Sequence, residues 1–144
     1  MRVDRIKALF DHPGKLLSTV LLLVAFHSLV MGLILITQPS ALMRFAGFGP
    51  NCDRFFPTQG GVFHLLMFVL YLLGAIHIEK YYYFIVFSIF IKAVATFFLL
   101  IYAFVVEFKG VILLSGIADG IMGLMIFMAL QYYLHAKTMN KSRP

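Results

Sequence analysis

A lysine lies inside the apolar run SIFIKAVATFF, and an aspartate inside LLSGIADGIMGL. Lys92 is the only charge between Tyr81 and Val106, a stretch long enough to cross a bilayer. Asp119 interrupts the next apolar run, and His27 and His64 interrupt the two that come first. Ionisable groups at membrane depth are rare, turn to the interior of a helix bundle and commonly pair with one another. A Lys92–Asp119 pair has two chemical uses. It can specify which helix meets which, as a buried structural pair. It can also serve as a site, binding a polar substrate or the head of a lipid or quinone, or relaying a proton.

Depth decides whether these residues can meet. At about 1.5 Å of rise per residue, Asp119 lies roughly 12 Å below the outer surface and Lys92 roughly 20 Å. A lysine side chain and helix tilt cover that difference, so the pair is feasible. The two histidines raise haem b, with the iron held from facing helices. Axial ligands must share one depth, and helix rise puts His64 roughly 9 Å nearer the outer surface than His27. That mismatch disfavours haem and leaves the cofactor unknown. His77 and His135 fall at the ends of runs and read as interfacial residues, so no metal site is expected. The single cysteine, Cys52, excludes an internal disulfide and a multi-cysteine zinc site. Gly-rich phosphate loops, GxSxG and HExxH are all missing, and the expectation leans away from an enzyme. Gln59-Gly60-Gly61 opens the second run, where the glycines serve flexibility and close packing, or where Gln59 and His64 form a polar mouth.

The elements that must position these residues follow from composition. The chain has 144 residues, 62% of them hydrophobic and 12% charged, with a mean hydropathy of +0.95. Soluble domains carry about 25% charged residues, so lipid is the main solvent. Four runs reach the roughly 20 apolar residues that a transmembrane helix needs, at 16–37, 60–78, 81–106 and 111–134. The breaks HIEKY and VEFKG are so short that helices two, three and four run as antiparallel neighbours. The fold expected is all-α, an integral membrane four-helix bundle in one domain.

The net charge of +6 lies in short segments flanking the apolar runs, with no basic stripe, so nucleic acid is not the partner. With the N-terminus cytoplasmic, that side collects Arg2, Arg5, Lys7, Lys15, Lys80, Lys137, Lys141 and Arg143, against Arg44, Arg54 and Lys109 opposite. Eight against three puts both termini in the cytoplasm, in a bacterial inner membrane. The first run has no removable signal and reads as a retained anchor. Val3, Ile6, Leu9 and Phe10 share one face of a short N-terminal interfacial helix that ends before Pro13. A second short helix is expected from Pro39 and Ser40 around Leu42, Met43 and Phe45, stopped by GFGPN.

Helical spacing then assigns faces. Ser88, Lys92 and Thr96 recur every four residues and stack along one side, and Ser115 and Asp119 repeat that spacing on the last span. Gly116, Gly120 and Gly123 make a small-residue groove beside that polar line, of the kind that lets helices approach closely. Gly61, His64, Phe68 and Tyr71 share a face of the second span, and the first offers His27, Ser28, Met31 and Gly32.

The segments QGGVFHLLMFVLYLLGA, SIFIKAVATFFLL and LLSGIADGIMGL together resemble small four-span bacterial membrane proteins of the DoxX-like kind. That resemblance covers most of the membrane part. It implies a small accessory membrane protein, in some cases linked to quinone-coupled oxidoreductases, and assigns no catalytic residue. The leading functional expectation is a non-catalytic accessory or scaffolding subunit, in contact with membrane lipids and with a larger membrane protein or further copies of itself. The alternative is a lipid-binding, quinone-binding or proton-relay site around Lys92, Asp119 and His64.

Overall fold

The computed structural model describes residues 12–47 and 54–141. All regular elements among them are helical. Helix α1, Pro13–Thr37, begins on a proline, whose missing N–H is harmless in a first turn. It stops at Gln38, which takes a left-handed conformation (φ 47°) while its N–H donates to the Ile34 carbonyl at 2.8 Å. Pro39 follows and cannot continue the helix. Helix α2, Ser40–Phe45, is the short outer helix expected around Leu42 and Met43, and Gly47 (φ 82°) turns the chain after it. The interfacial helix expected over Val3 to Phe10 lies outside the described residues, as does Cys52.

Helix α3, Phe55–Ile76, starts five residues before the expected boundary at Gly60. Pro57 looked like part of a loop, but the first four N–H groups of a helix have no partner within it, so a proline there breaks no bond. Helix α4, Tyr82–Ile101, closes with a π-helical turn over Tyr102–Val106, where the Glu107 N–H reaches back to the Tyr102 carbonyl at 3.1 Å. Helix α5, Gly110–Lys141, runs well past the apolar boundary at Leu134. There Lys137 donates to Glu79 Oε1 at 2.6 Å and the Tyr133 hydroxyl donates to the same oxygen at 3.1 Å, tying α5 to the α3–α4 turn. Four helices, α1, α3, α4 and α5, are long and apolar enough to cross a membrane, the pattern of a multi-pass membrane protein.

These four form a ring in which each packs on its neighbours in sequence, and α1 closes on α5; the backbones of the diagonal pairs stay apart. The most extensive contacts join α1 to α3 and α4 to α5, so the bundle is two antiparallel hairpins laid side by side. Within the first hairpin, Ser18 Oγ donates to the Ala75 carbonyl at 2.7 Å near one end, and Gly32 meets Gly61 near the other. Both contacts centre on residues 46–47, so the register is straight along the whole pair. The large, fully buried side chains are Tyr71, Leu17, Leu21, Ile85 and Ile126, while Phe63, Phe90, Phe97 and Phe104 are among many apolar side chains facing outward. That outward face suits lipid, which is as apolar as a leucine side chain and exerts no pressure to bury it.

The Ser18 contact is testable. Its acceptor, Ala75, sits in the last turn of α3, and hydrogen bonds between transmembrane helices average about 0.6 kcal/mol. Ser18→Ala is therefore expected to lower stability by about 0.5–1 kcal/mol in detergent unfolding. A loss several times larger would mean that this end of the hairpin depends on the hydroxyl alone.

Candidate functional site at the centre of the bundle

The backbone register of the second hairpin sets the position of its charges. A Cβ added to Gly123 would stand 3.0 Å from Lys92 Cβ, one at Gly120 would stand 3.3 Å from Thr96 Cγ2, and one at Gly116 would stand 3.1 Å from Leu99 Cβ. Each contact is centred on residues 107–108, the middle of the tight turn. Lys92 is therefore level with Gly123, and Asp119 lies one helical turn, about 6 Å, nearer the turn. The lysine side chain spans that interval, and its Nζ pairs directly with Asp119 Oδ1. Lys92 is 3% exposed and Asp119 8%, so little of either charge meets the outer surface of the bundle. A buried pair at this depth requires mutual neutralisation, because either charge alone is costly in an apolar medium.

The neighbours come from the other hairpin. Lys92 Nζ stands 5.9 Å from the centroid of the Tyr71 ring, and Tyr71 is itself 1% exposed. His27 and His64 both lie within electrostatic range of Lys92 and Asp119, and His64 within range of His27. The structure thus brings together Lys92, Asp119, His27, His64 and Tyr71. Ser88, fully buried one turn from Lys92, does not join them through its hydroxyl, which donates to the Phe84 carbonyl of its own helix at 2.7 Å. Thr96 likewise donates to the Lys92 carbonyl at 2.7 Å. Ser115 is half-buried one turn beyond Asp119, and Gln59 is exposed.

The depth argument used against haem does not survive the register. With Gly32 opposite Gly61, His27 and His64 sit within about two residues of one level, not 9 Å apart. The error came from starting the second helix at Gly60. Another obstacle takes its place: a Cβ at Gly32 would stand 3.0 Å from the Gly61 carbonyl oxygen, so α1 and α3 are in backbone contact about a turn from both histidines. No macrocycle fits between helices that close. Among the described residues, no group of three or more His, Cys, Asp or Glu converges as a metal site would require.

Two atoms in this region are unsatisfied. His27 Nδ1 and Ser28 Oγ are buried and make no hydrogen bond among the described residues, and Ser28 is only 1% exposed. Ser28 could be placed on the interior face from the sequence, but its isolation could not, since a serine in a helix usually bonds a carbonyl one turn back. Buried polar atoms without partners are uncommon and call for an explanation.

The small-residue groove also has a definite occupant. Gly116 and Gly120 are covered by Leu99, Leu100 and Thr96 of the same chain. Only its flank is open, as an apolar groove of about 310 Å³ lined by Ala93, Phe97, Gly120, Gly123, Leu124 and Phe127, among others. A separate groove of about 450 Å³ lies near the chain termini between α1 and α3, lined by Lys15, Ser18, Thr19 and Ala75. No known protein family, no curated protein and no solved structure matches this chain.

Proposed function

We propose that the protein binds a polar headgroup at the ionisable centre of the bundle, as a lipid- or quinone-binding membrane protein rather than a chemical catalyst. The observation that carries this reading is the pairing of Lys92 with Asp119 in a bundle interior that also holds two buried atoms, His27 Nδ1 and Ser28 Oγ, without partners among the described residues. A purely structural ion pair accounts for the first feature only. Hydrogen-bonding capacity left unused in the same interior is what a bound polar group would take up. Proton transfer through the same residues is a variant of this reading.

On the same reading the chain lies in a bacterial cytoplasmic membrane with both termini inside. Lys15, Lys80 and Lys137 stand at the end of the bundle bearing the termini, and Arg44, Arg54 and Lys109 at the end bearing the 38–54 loop. That asymmetry has the sign of cytoplasmic loops at the terminal end. An accessory subunit remains the second reading. It rests on the open flank beside Gly120 and Gly123, since Gly116 and most of the small-residue face are already covered from within.

One purification separates the two. The tagged chain, extracted from its native membrane in a mild detergent, is analysed by mass spectrometry for small molecules and proteins. The Lys92→Met, Asp119→Leu double variant is treated in parallel. A stoichiometric lipid or quinone on the native chain, lost from the double variant, is the expected result. A stoichiometric larger protein with no small molecule, retained by both forms, would overturn the binding reading in favour of the accessory one.

A further inference from the structure

The buried side chains are distributed unevenly along the bundle. At the end bearing the chain termini, the interior is filled by Leu17, Leu21, Tyr71, Ile85, Ile126 and Leu130, none more than 3% exposed. From mid-depth to the loop end, the buried residues among those described are Ser28, Gly32, Gly61, Ala103, Gly116 and Asp119, with no large apolar side chain among them. The close contacts divide in the same way. Gly74 against Ile85, Gly14 against Tyr133, and Glu79 with Tyr133 and Lys137 join one hairpin to the other, all at the terminal end. In the loop half, Gly61 against Gly32 and Ile36, Gln38 with Arg54 and Thr58, and Gly116 against Leu99 and Leu100 all run within one hairpin.

From this asymmetry we infer that the bundle is a one-ended receptacle: its hairpins are zipped by an apolar plug at the terminal end and part at the loop end, so the Lys92–Asp119 centre is reached from the loop end alone. A path through the bundle is excluded by the plug, because a polar solute would have to cross closely packed Leu and Ile side chains without a hydrogen-bond partner. The nature of the occupant follows from charge. Lys92 and Asp119 neutralise one another, so an added ion would stand in an apolar medium without a counter-charge. A neutral group with an accepting or donating oxygen, a hydroxyl or a carbonyl, meets the needs of His27 Nδ1 and Ser28 Oγ at no such cost. Water carries that oxygen, and so does the head of an uncharged amphiphile whose tail lies between the parted hairpins. The ligand class rests on the binding reading above; the one-ended shape does not.

The test uses single cysteines in a Cys52→Ser background, in liposomes of known protein orientation. Ser115→Cys reports the loop half and Ala129→Cys, 5% exposed, reports the plug; both changes are close to isosteric, and folding is checked by gel filtration. A charged, membrane-impermeant thiosulfonate is applied to each side in turn. Ser115→Cys is expected to react from the loop side and not from the other, while Ala129→Cys is protected from both. Modification of Ala129→Cys would reveal a through-path, and protection of Ser115→Cys from both sides would show hairpins closed along their length; either result overturns the inference. The ligand is tested separately by adding a decyl-tailed benzoquinone. Slower modification of Ser115→Cys supports a neutral amphiphile as occupant. Modification at an unchanged rate from the loop side keeps the one-ended shape, removes the quinone and leaves water as the source of the oxygen.

Discussion

Replacing Lys92 by methionine is expected to destabilise the protein by about 3–5 kcal/mol, the usual cost of removing one partner from a buried ion pair. The loss would come mostly from what remains: Asp119, 8% exposed, would be left as an isolated carboxylate in an apolar interior, or would have to take up a proton. Asp119→Leu is expected to do comparable harm by leaving the ammonium alone. The double change Lys92→Met, Asp119→Leu removes both charges and puts apolar side chains of similar length in their place. Such replacements are often neutral, or stabilising by about 1–4 kcal/mol. The prediction is therefore two damaged single variants and a largely recovered double, measured as midpoints of detergent-induced unfolding by circular dichroism. A single variant as stable as the native chain would mean that water or lipid already screens the pair. A stable double variant is also what makes the ligand test decisive, because its loss of binding could not then be assigned to loss of fold.

The second large effect separates two adjacent glycines. A Cβ at Gly61 would lie 2.8 Å from the Gly32 carbonyl oxygen and 3.1 Å from the Ile36 backbone nitrogen. Backbone cannot step aside as a side-chain tip can, so even Gly61→Ala pushes α1 from α3, and Gly61→Leu forces them apart. Overpacking of this kind costs about 1–3 kcal/mol or more. At Gly60 the nearest atom to an added Cβ is Leu35 Cδ1 at 3.8 Å, ordinary contact with the end of a flexible side chain. Gly60→Ala should be neutral or should gain up to about 1 kcal/mol from helix propensity. Thermal midpoints of the two variants in one detergent are expected to move apart, Gly61→Leu strongly downward and Gly60→Ala little or upward. Equal behaviour would sink the backbone crossing, and with it the register that levels His27 with His64.

Both predictions draw on features that differ in how far the sequence reveals them. The spacing of Ser88, Lys92 and Thr96, and of Ser115 and Asp119, was enough to put a cation and an anion on facing helices, because a five-residue break forces antiparallel neighbours. The neighbours of that pair were legible only in part. Tyr71 and His64 could be given a face, but not a distance from Lys92, since face follows from periodicity within one helix while distance depends on how two hairpins are laid together. The start of the second helix was misplaced for a local reason: Phe55 to Gln59 carries a proline and polar residues, which look alike in a loop and in a first turn. That shift of five residues was enough to reverse the comparison of histidine depths.

By itself the sequence determined four helices that cross an apolar medium, their alternating direction, and one intramembrane charge pair. Each rests on a local property: the length of an apolar run, the shortness of a break, or the energetic need of a buried charge for its opposite. Tertiary structure alone decided that Gly116 and Gly120 are covered from within, that Gly61 meets Gly32 backbone to backbone, and that Ser28 Oγ is left without a partner among the described residues. It also decided that the large buried side chains gather at one end of the bundle. Lipid rewards an apolar side chain equally in every direction, so helix composition says little about which face turns inward. Close packing and hydrogen bonding between helices make that choice.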